Sequence, residues 1–347
     1  MFKTIRSLLI LSVLFYTGIT FAYDEPQYSK NFLLSVYFRS VELRDKAITE
    51  IKKIDMEILK NEEAIQKAEK IISLAQQKGN TQAEMIAREA LIKAQEAKYK
   101  NEETRKQLEL KKIRADRSYA TIQNMLSQKY DSQKQIKGFV TDYTGNIYII
   151  KANGERVTPE SGFLEPGDKV WTGDGTAEMQ MLYGRATARI GPYSEFEMKK
   201  DTLEEQAVEL LKGKVYMAVD KIDEYVEKMK GKIKEYQKDL QIIKDINEED
   251  IKNLHNRFTI FMKLISQGGC LNNRCPTAVC GIRGTKLITE IKEDEAMEIT
   301  VLEGIVDVNI PELNQNISLI EGNRIIITKD GIVRQEKVES PERWWEK

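Results

Sequence analysis

The residues of this sequence that could do chemistry are few: three cysteines, one histidine, a Gly-x-Arg-Gly-Thr stretch and a pair of adjacent tryptophans. Zinc sites space paired ligands two to four residues apart and need four ligands in all. Cys270-x4-Cys275-x4-Cys280 is looser than that, and His255, the one histidine, falls on a helix-patterned segment, so no metal is assigned. In an oxidising compartment three thiols give one disulfide with one left over, and three free thiols is the other reading. Cys270–Cys275 or Cys270–Cys280 would staple a helix exit to the stretch that follows it. Cys275 and Cys280 are an odd number of residues apart, so on one regular strand they face opposite sides; that pair needs a turn at Pro276.

Gly281, Arg283, Gly284 and Thr285 have two readings. Glycines admit a ligand close to the backbone, and arginine clamps a carboxylate or phosphate with two hydrogen bonds. The plainer reading is a tight β corner in which Arg283 holds a neighbouring strand. Trp344 and Trp345, beside Arg343 and Lys347, could meet a glycan or a membrane surface, or pack onto the sheet. Catalysis finds little footing. A histidine-based triad could use only His255, and Gly-x-Ser-x-Gly, P-loop and dinucleotide patterns are missing from the sequence. Glu248-Glu249-Asp250 and Glu293-Asp294-Glu295 read as turns or solvated faces. No catalytic residue, metal or cofactor is assigned, and the chain is expected not to be an enzyme.

The elements that must position these residues begin after residues 1–22. Lys3 and Arg6 precede an apolar run that ends in Thr20-Phe21-Ala22, the pattern of a signal peptide cut after Ala22. An uncleaved anchor is the rival. No later run reaches the ~18 apolar residues of a membrane span, so a periplasmic or secreted product is expected. Losing Lys3 and Arg6 takes the basic count from 54 to 52 against 55 acidic residues. Mixed charge of that kind is no footprint for nucleic acid.

Residues 23–137 are patterned as a helical hairpin. Ile51, Ile54, Ile58, Ile65, Ala68, Ile72 and Ala75 keep steps of three and four; so do Ala87, Ala90, Ala94, Ala97, Asn101, Thr104 and Leu108. Gly79-Asn80 stops the first helix, and Thr81 with Glu84 forms a capping box for the second. The expected arms are 29–78 and 82–137, each roughly 75–80 Å long; an unbroken rod, which would need Gly79-Asn80 in mid-helix, is the rival. Short β-type runs punctuated by turn residues then fill 138–220 and 266–347, as in a sandwich or solenoid. Between them, Ile222, Val226, Met229, Ile233, Tyr236, Leu240 and Ile243 pattern 221–265 as a helical insertion, interrupted near Asn247. The fold class is α+β, segregated by segment.

Within the β regions the motifs resemble those of the FecR family. Leu164-Glu165-Pro166-Gly167-Asp168-Lys169-Val170-Trp171-Thr172-Gly173, Gly184 to Ser194, Leu211-Lys212-Gly213-Lys214-Val215, Cys275 to Thr285, Val301 to Val308 and Glu321-Gly322-Asn323-Arg324 follow the family's order. The resemblance spans about 138–329, with 221–265 as an insertion, and omits the N-terminal arms. Cys275 stands where the family has Thr, Cys280 where it has Ala, and Lys286-Leu287 replaces Glu-Phe. The family's namesake passes a signal to a sigma factor across a membrane. The sequence shows no span before the β region, so the resemblance implies an exported β module rather than that role.

Two functions are expected from these readings. One is a scaffold whose helices meet an envelope protein or a second copy. The other is a module that senses a ligand or cell-wall glycan through Arg283, Thr285, Trp344 or Trp345. An export-pump adaptor is a third, since such proteins also couple α-hairpins to β modules.

Overall fold

The computed structural model describes residues 25–127, 138–159, 162–199, 205–236, 270–274, 279–282, 284–331, 333–341 and 343–346. The chain forms two compact units, one of Arg39–Ala120 and one that joins Met1–Phe38 to Thr121–Lys347. Two long helices, α1 (Glu25–Gln77) and α2 (Thr81–Ser127), supply the first unit. Residues 128–137, the expected end of the second arm, lie outside the described residues.

Inside that unit the helices run antiparallel. Asp55 pairs with Arg105 (2.6 Å), Glu62 with Lys98 (2.8 Å) and Gln76 with Glu84 (2.9 Å). Each pair is equidistant from Asn80, which fixes the register about the turn. Gly79 takes φ +65°, a conformation that suits glycine. The expected capping box is corrected here. Asn80, rather than Thr81, caps α2, its Oδ1 accepting from Ala83 N (3.0 Å). Glu84 is engaged instead by Gln76 and Arg88.

The α1 seam turns inward as expected, with Ile51, Ala68 and Ala75 buried and Ile54, Ile58, Ile65 and Ile72 half-buried. On α2 the phase differs from the reading above. Ala87, Leu91, Ala94, Lys98, Asn101, Arg105 and Leu108 face the partner helix, while Ala90, Ala97 and Thr104 are exposed. Leu91 buries more apolar surface than Ala90, and Lys98 and Arg105 lay their stems along the seam before reaching Glu62 and Asp55. Two flanks result. Lys98 touches both Glu62 and Glu102, and Arg105 both Asp55 and Glu109. Residues that directly follow a seam residue on either helix therefore share one flank. Because successive residues turn by 100°, those that directly precede one share the other.

The second unit is a two-layer β sandwich built on one strand. It contains β1 (Gly138–Thr144), β2 (Ile147–Ile150), β3 (Arg156–Val157), β4 (Phe163–Leu164), β5 (Lys169–Thr172), β6 (Thr176–Met181), β7 (Ala186–Ile190), β8 (Glu195–Met198) and β9 (Glu205–Val219). After α3 (Ile222–Glu235) follow β10 (Cys270–Arg274), β11 (Val279–Ile282), β12 (Lys286–Ile291), β13 (Met297–Glu303), β14 (Ile305–Ile310), β15 (Gln315–Ile320), β16 (Asn323–Ile327) and β17 (Val333–Lys337). One sheet runs β4-β1-β6-β7-β9-β12-β13-β16-β17. The other runs β3-β2-β5-β8-β9-β10-β11-β14-β15. The fifteen-residue β9 is central to both. Its first part, to Lys212, lies beside β8 and β10; from Gly213 it lies between β7 and β12.

That change of sheet occurs at Gly213, φ +81°, where an added Cβ would meet Ser194 Oγ at 2.3 Å. Hydroxyls fasten the corner. Thr172 Oγ1 donates to Gly191 O (2.6 Å) and accepts from Ser194 N (2.9 Å), and Ser194 Oγ accepts from Lys214 N (2.9 Å). Gly304, φ +86°, makes the matching change of sheet between β13 and β14. Between the layers Ile149, Val170, Phe196, Leu210, Met179, Ala188, Met217, Leu287 and Ile299 form the core. The β9–β10 ladder is parallel, so a long crossover must join them. The helical insertion is that crossover; of it, α3 is described and 237–269 lie outside the described residues. Val226, Met229 and Ile233 of α3 are buried, as is Tyr225.

The root of α1, Phe32 to Phe38, is buried on every side. Ser35 hydrogen-bonds the Tyr225 hydroxyl, and the Phe38 ring lies 5.6 Å from that of Tyr236. Burial pushes the Tyr225 phenol far above its usual range.

Asp168, in the Gly-Asp motif, is buried and serves as a turn staple. Its carboxylate accepts from Lys151 Nζ (2.5 Å), Glu165 N (2.8 Å) and Ala152 N (3.0 Å). Asp168→Ala would strand the Glu165 and Ala152 amides and leave Lys151 Nζ only its bond to Phe163 O (3.3 Å), and should lower stability by about 2–4 kcal/mol, read by urea denaturation. A change under about 0.5 kcal/mol would show that the staple contributes little.

Candidate functional site

Among the residues singled out in the sequence, the structure builds a site around the tryptophans. Tyr216 sits on β9 between the inward-facing Val215 and Met217, so period-two alternation aims it outward. The chain returns after β17, and Trp345 stacks on Tyr216 with ring centroids 4.5 Å apart and planes 8° from parallel. The Arg189 guanidinium of β7 lies over the Tyr216 ring, 6.0 Å from its centroid, and its Nη1 donates to Trp345 O (3.0 Å). Glu178 holds the Arg189 Nε at 3.0 Å. Trp344 stands perpendicular to Trp345, with Lys214 Nζ 5.0 Å from its ring centre. Both tryptophans thus pack on the outer face of the first sheet and remain half-exposed.

Beside the stack lies a groove of about 390 Å³. Tyr216, Lys286, Thr300 and Glu303 form one wall, and the returning tail with Glu339, Arg343, Trp345 and Glu346 forms another. Lys286 and Glu303 are paired at close range, and Arg343 pairs with Glu346 at 3.2 Å. The hydrogen bond to Glu303 raises the Lys286 pKa, and the same bond lowers that of Glu303. Burial raises the Tyr216 pKa. An aromatic wall with paired charges can stack a flat or ring-shaped group and hydrogen-bond its rim.

The remaining candidates fall elsewhere. Arg283, Cys275 and His255 lie outside the described residues. Thr285 is buried, its carbonyl accepting from Val219 N (2.9 Å), and its methyl fills the space opened by Gly304. Its Oγ1 has no hydrogen-bond partner among the described residues. Cys280 is a free thiol in the core, on β11 between Asn273 and Val308. Burial pushes that thiol up to about 12. The backbone of Cys270 begins β10, three rungs from the Asn273–Cys280 pair. The structure therefore brings Trp345 to the Lys286–Glu303 edge and keeps Cys280 and Thr285 inside. Tyr216, Arg189, Lys214 and Lys286 escaped the sequence reading, although strand alternation alone would have placed Tyr216 on the surface.

No protein-family model and no curated protein matches the chain. Solved structures that resemble it include two crystal structures of a protein from Parabacteroides distasonis named provisionally as an anti-sigma factor. Each is 14% identical, with a TM-score of 0.33, over 49% of this chain and 59% of the other. The chain thus spans about three fifths of those proteins' length, and a likeness of this degree carries no functional argument.

Two outcomes test the site. Trp345→Ala should release the tail, shown by faster proteolysis after Lys337 with the sandwich left intact; an unchanged cleavage rate would mean that the stack does not hold it. Cys280 should resist alkylation at pH 8 in the folded protein and react once urea unfolds it, as followed by peptide mass mapping.

Proposed function

We propose that this protein is a non-catalytic interaction scaffold of the cell envelope, with the helical hairpin as its docking arm. One observation carries the reading. Met85, Ile92, Tyr99 and Ile113 are exposed on the flank of residues that follow the seam. With Lys106 in the gap they recur every seven residues, the period at which a further helix packs. Large apolar side chains at that spacing on a water-facing helix call for a covering partner. The FecR-like motif order and the signal-peptide pattern support an exported setting, in which the partner would be another envelope protein.

A second reading, a glycan-sensing module, is favoured by the groove beside Trp345. Glycan oligomers that quench tryptophan emission in the full protein but not in Trp345→Ala would support it.

The first reading is tested by cross-linking the tagged protein in cells and identifying what it captures. The capture of one defined envelope protein, lost in Ile92→Ser/Tyr99→Ser, is the expected result. Self-cross-links alone, or capture indifferent to those substitutions, would overturn it. Circular dichroism of the variant keeps the test sound, since both side chains are exposed and the helices should remain.

A further inference from the structure

The opposite flank of the hairpin has a different chemistry. Lys46, Lys53, Lys60 and Lys67 recur every seven residues on α1, each directly before a seam residue. Lys93, Lys100, Lys111 and Arg114 hold the equivalent places on α2. Glu50 and Glu57 are the only acids among these positions. Lys46, Lys67 and Lys93 have intrahelical partners, whereas Lys53, Lys60 and Lys100 make no ion pair among the described residues.

Toward the turn the same flank becomes apolar. Ile71 is 50% exposed, Leu74 45% and Ile86 59%. Leu74 and Ile86 are equidistant from Asn80, so the antiparallel register sets them side by side, with Ile71 one helical turn below. The small Ala90 and Ala97 continue the strip. The flank is thus a row of lysines ending in a patch of large aliphatic side chains.

We propose that this flank docks on an anionic lipid bilayer, with the hairpin lying along the surface. Charge complementarity argues for that occupant. An anionic surface attracts each lysine near it, and aliphatic side chains seat at the level of the headgroups while lysine stems reach up to the phosphates. A second copy is a poorer fit: the acids of the other flank, Asp55, Glu62, Glu102 and Glu109, are already bonded to Lys98 and Arg105. The proposal is independent of the protein-docking role of the other flank.

The test is flotation of the full chain with vesicles of phosphatidylcholine alone or mixed equally with phosphatidylglycerol. Binding should need the anionic lipid and weaken as salt rises. Lys53→Gln/Lys60→Gln/Lys100→Gln breaks no ion pair and should reduce binding about a hundredfold. Ile71→Ser/Ile86→Ser should reduce it about tenfold with helicity retained. Lys106→Gln, on the other flank, should leave it unchanged. Equal binding to phosphatidylcholine, or binding indifferent to the lysine substitutions, would overturn the proposal. So would a concentration-dependent self-association that those substitutions abolish while vesicle binding persists. Ile92→Ser/Tyr99→Ser keeps the two roles apart, since it should spare vesicle binding.

Discussion

The β unit depends on one strand being in two sheets at once. β9 gives its first part to one layer and its second to the other, and each layer extends outward from it on both sides. A strand can do this only if the backbone turns sharply without losing its ladder on either side. Gly213 supplies the turn, and the hydroxyls of Thr172 and Ser194 replace the backbone pairing lost at the bend. Thr172 and Ser194 are thereby explained as corner fasteners. The Gly-Asp motif is explained in the same way: the Asp168 carboxylate closes its own turn through Glu165 N and fastens the β2–β3 turn through Ala152 N.

Parts of this were legible in the sequence. The turn at Gly79 was legible because its physics is local, a helix stop at positive φ. The α1 seam was legible because isoleucine dominates it. On α2 the phase was ambiguous, since Ala90 and Leu91 both continue an apolar step, and only cross-helix pairing to Glu62 and Asp55 decides between them. The span of β9 was not legible. Only Leu211 to Val215 stood out as a motif, because the acids and small residues of Glu205–Val208 look like a loop until β10 is placed beside them.

The candidate site was legible by half. Two adjacent tryptophans near a chain end invite attention, and their packing on the sheet was one of the two readings. Their partner Tyr216 is far away in sequence, and no local pattern links it to them. Only the outward phase of β9 and the return of the chain after β17 bring the rings together. Thr285 shows the reverse: a residue that looked available for a ligand is inside, its neighbours set by the sheet change at Gly304.

The parallel β9–β10 ladder has a consequence for how the chain acquires its structure. Antiparallel neighbours such as β6 and β7 meet across short turns, so their loop-closure entropy is small. β10 must instead find β9 after the whole crossover has been made, and this non-local pairing places it late in the order of events. Until then β8 and β7 shield one side of β9 while its other side presents unpaired backbone. A nascent chain in that state is open to strand addition by a neighbour. The interval between the emergence of β9 and the arrival of β10 is therefore when this protein is most exposed to misassembly.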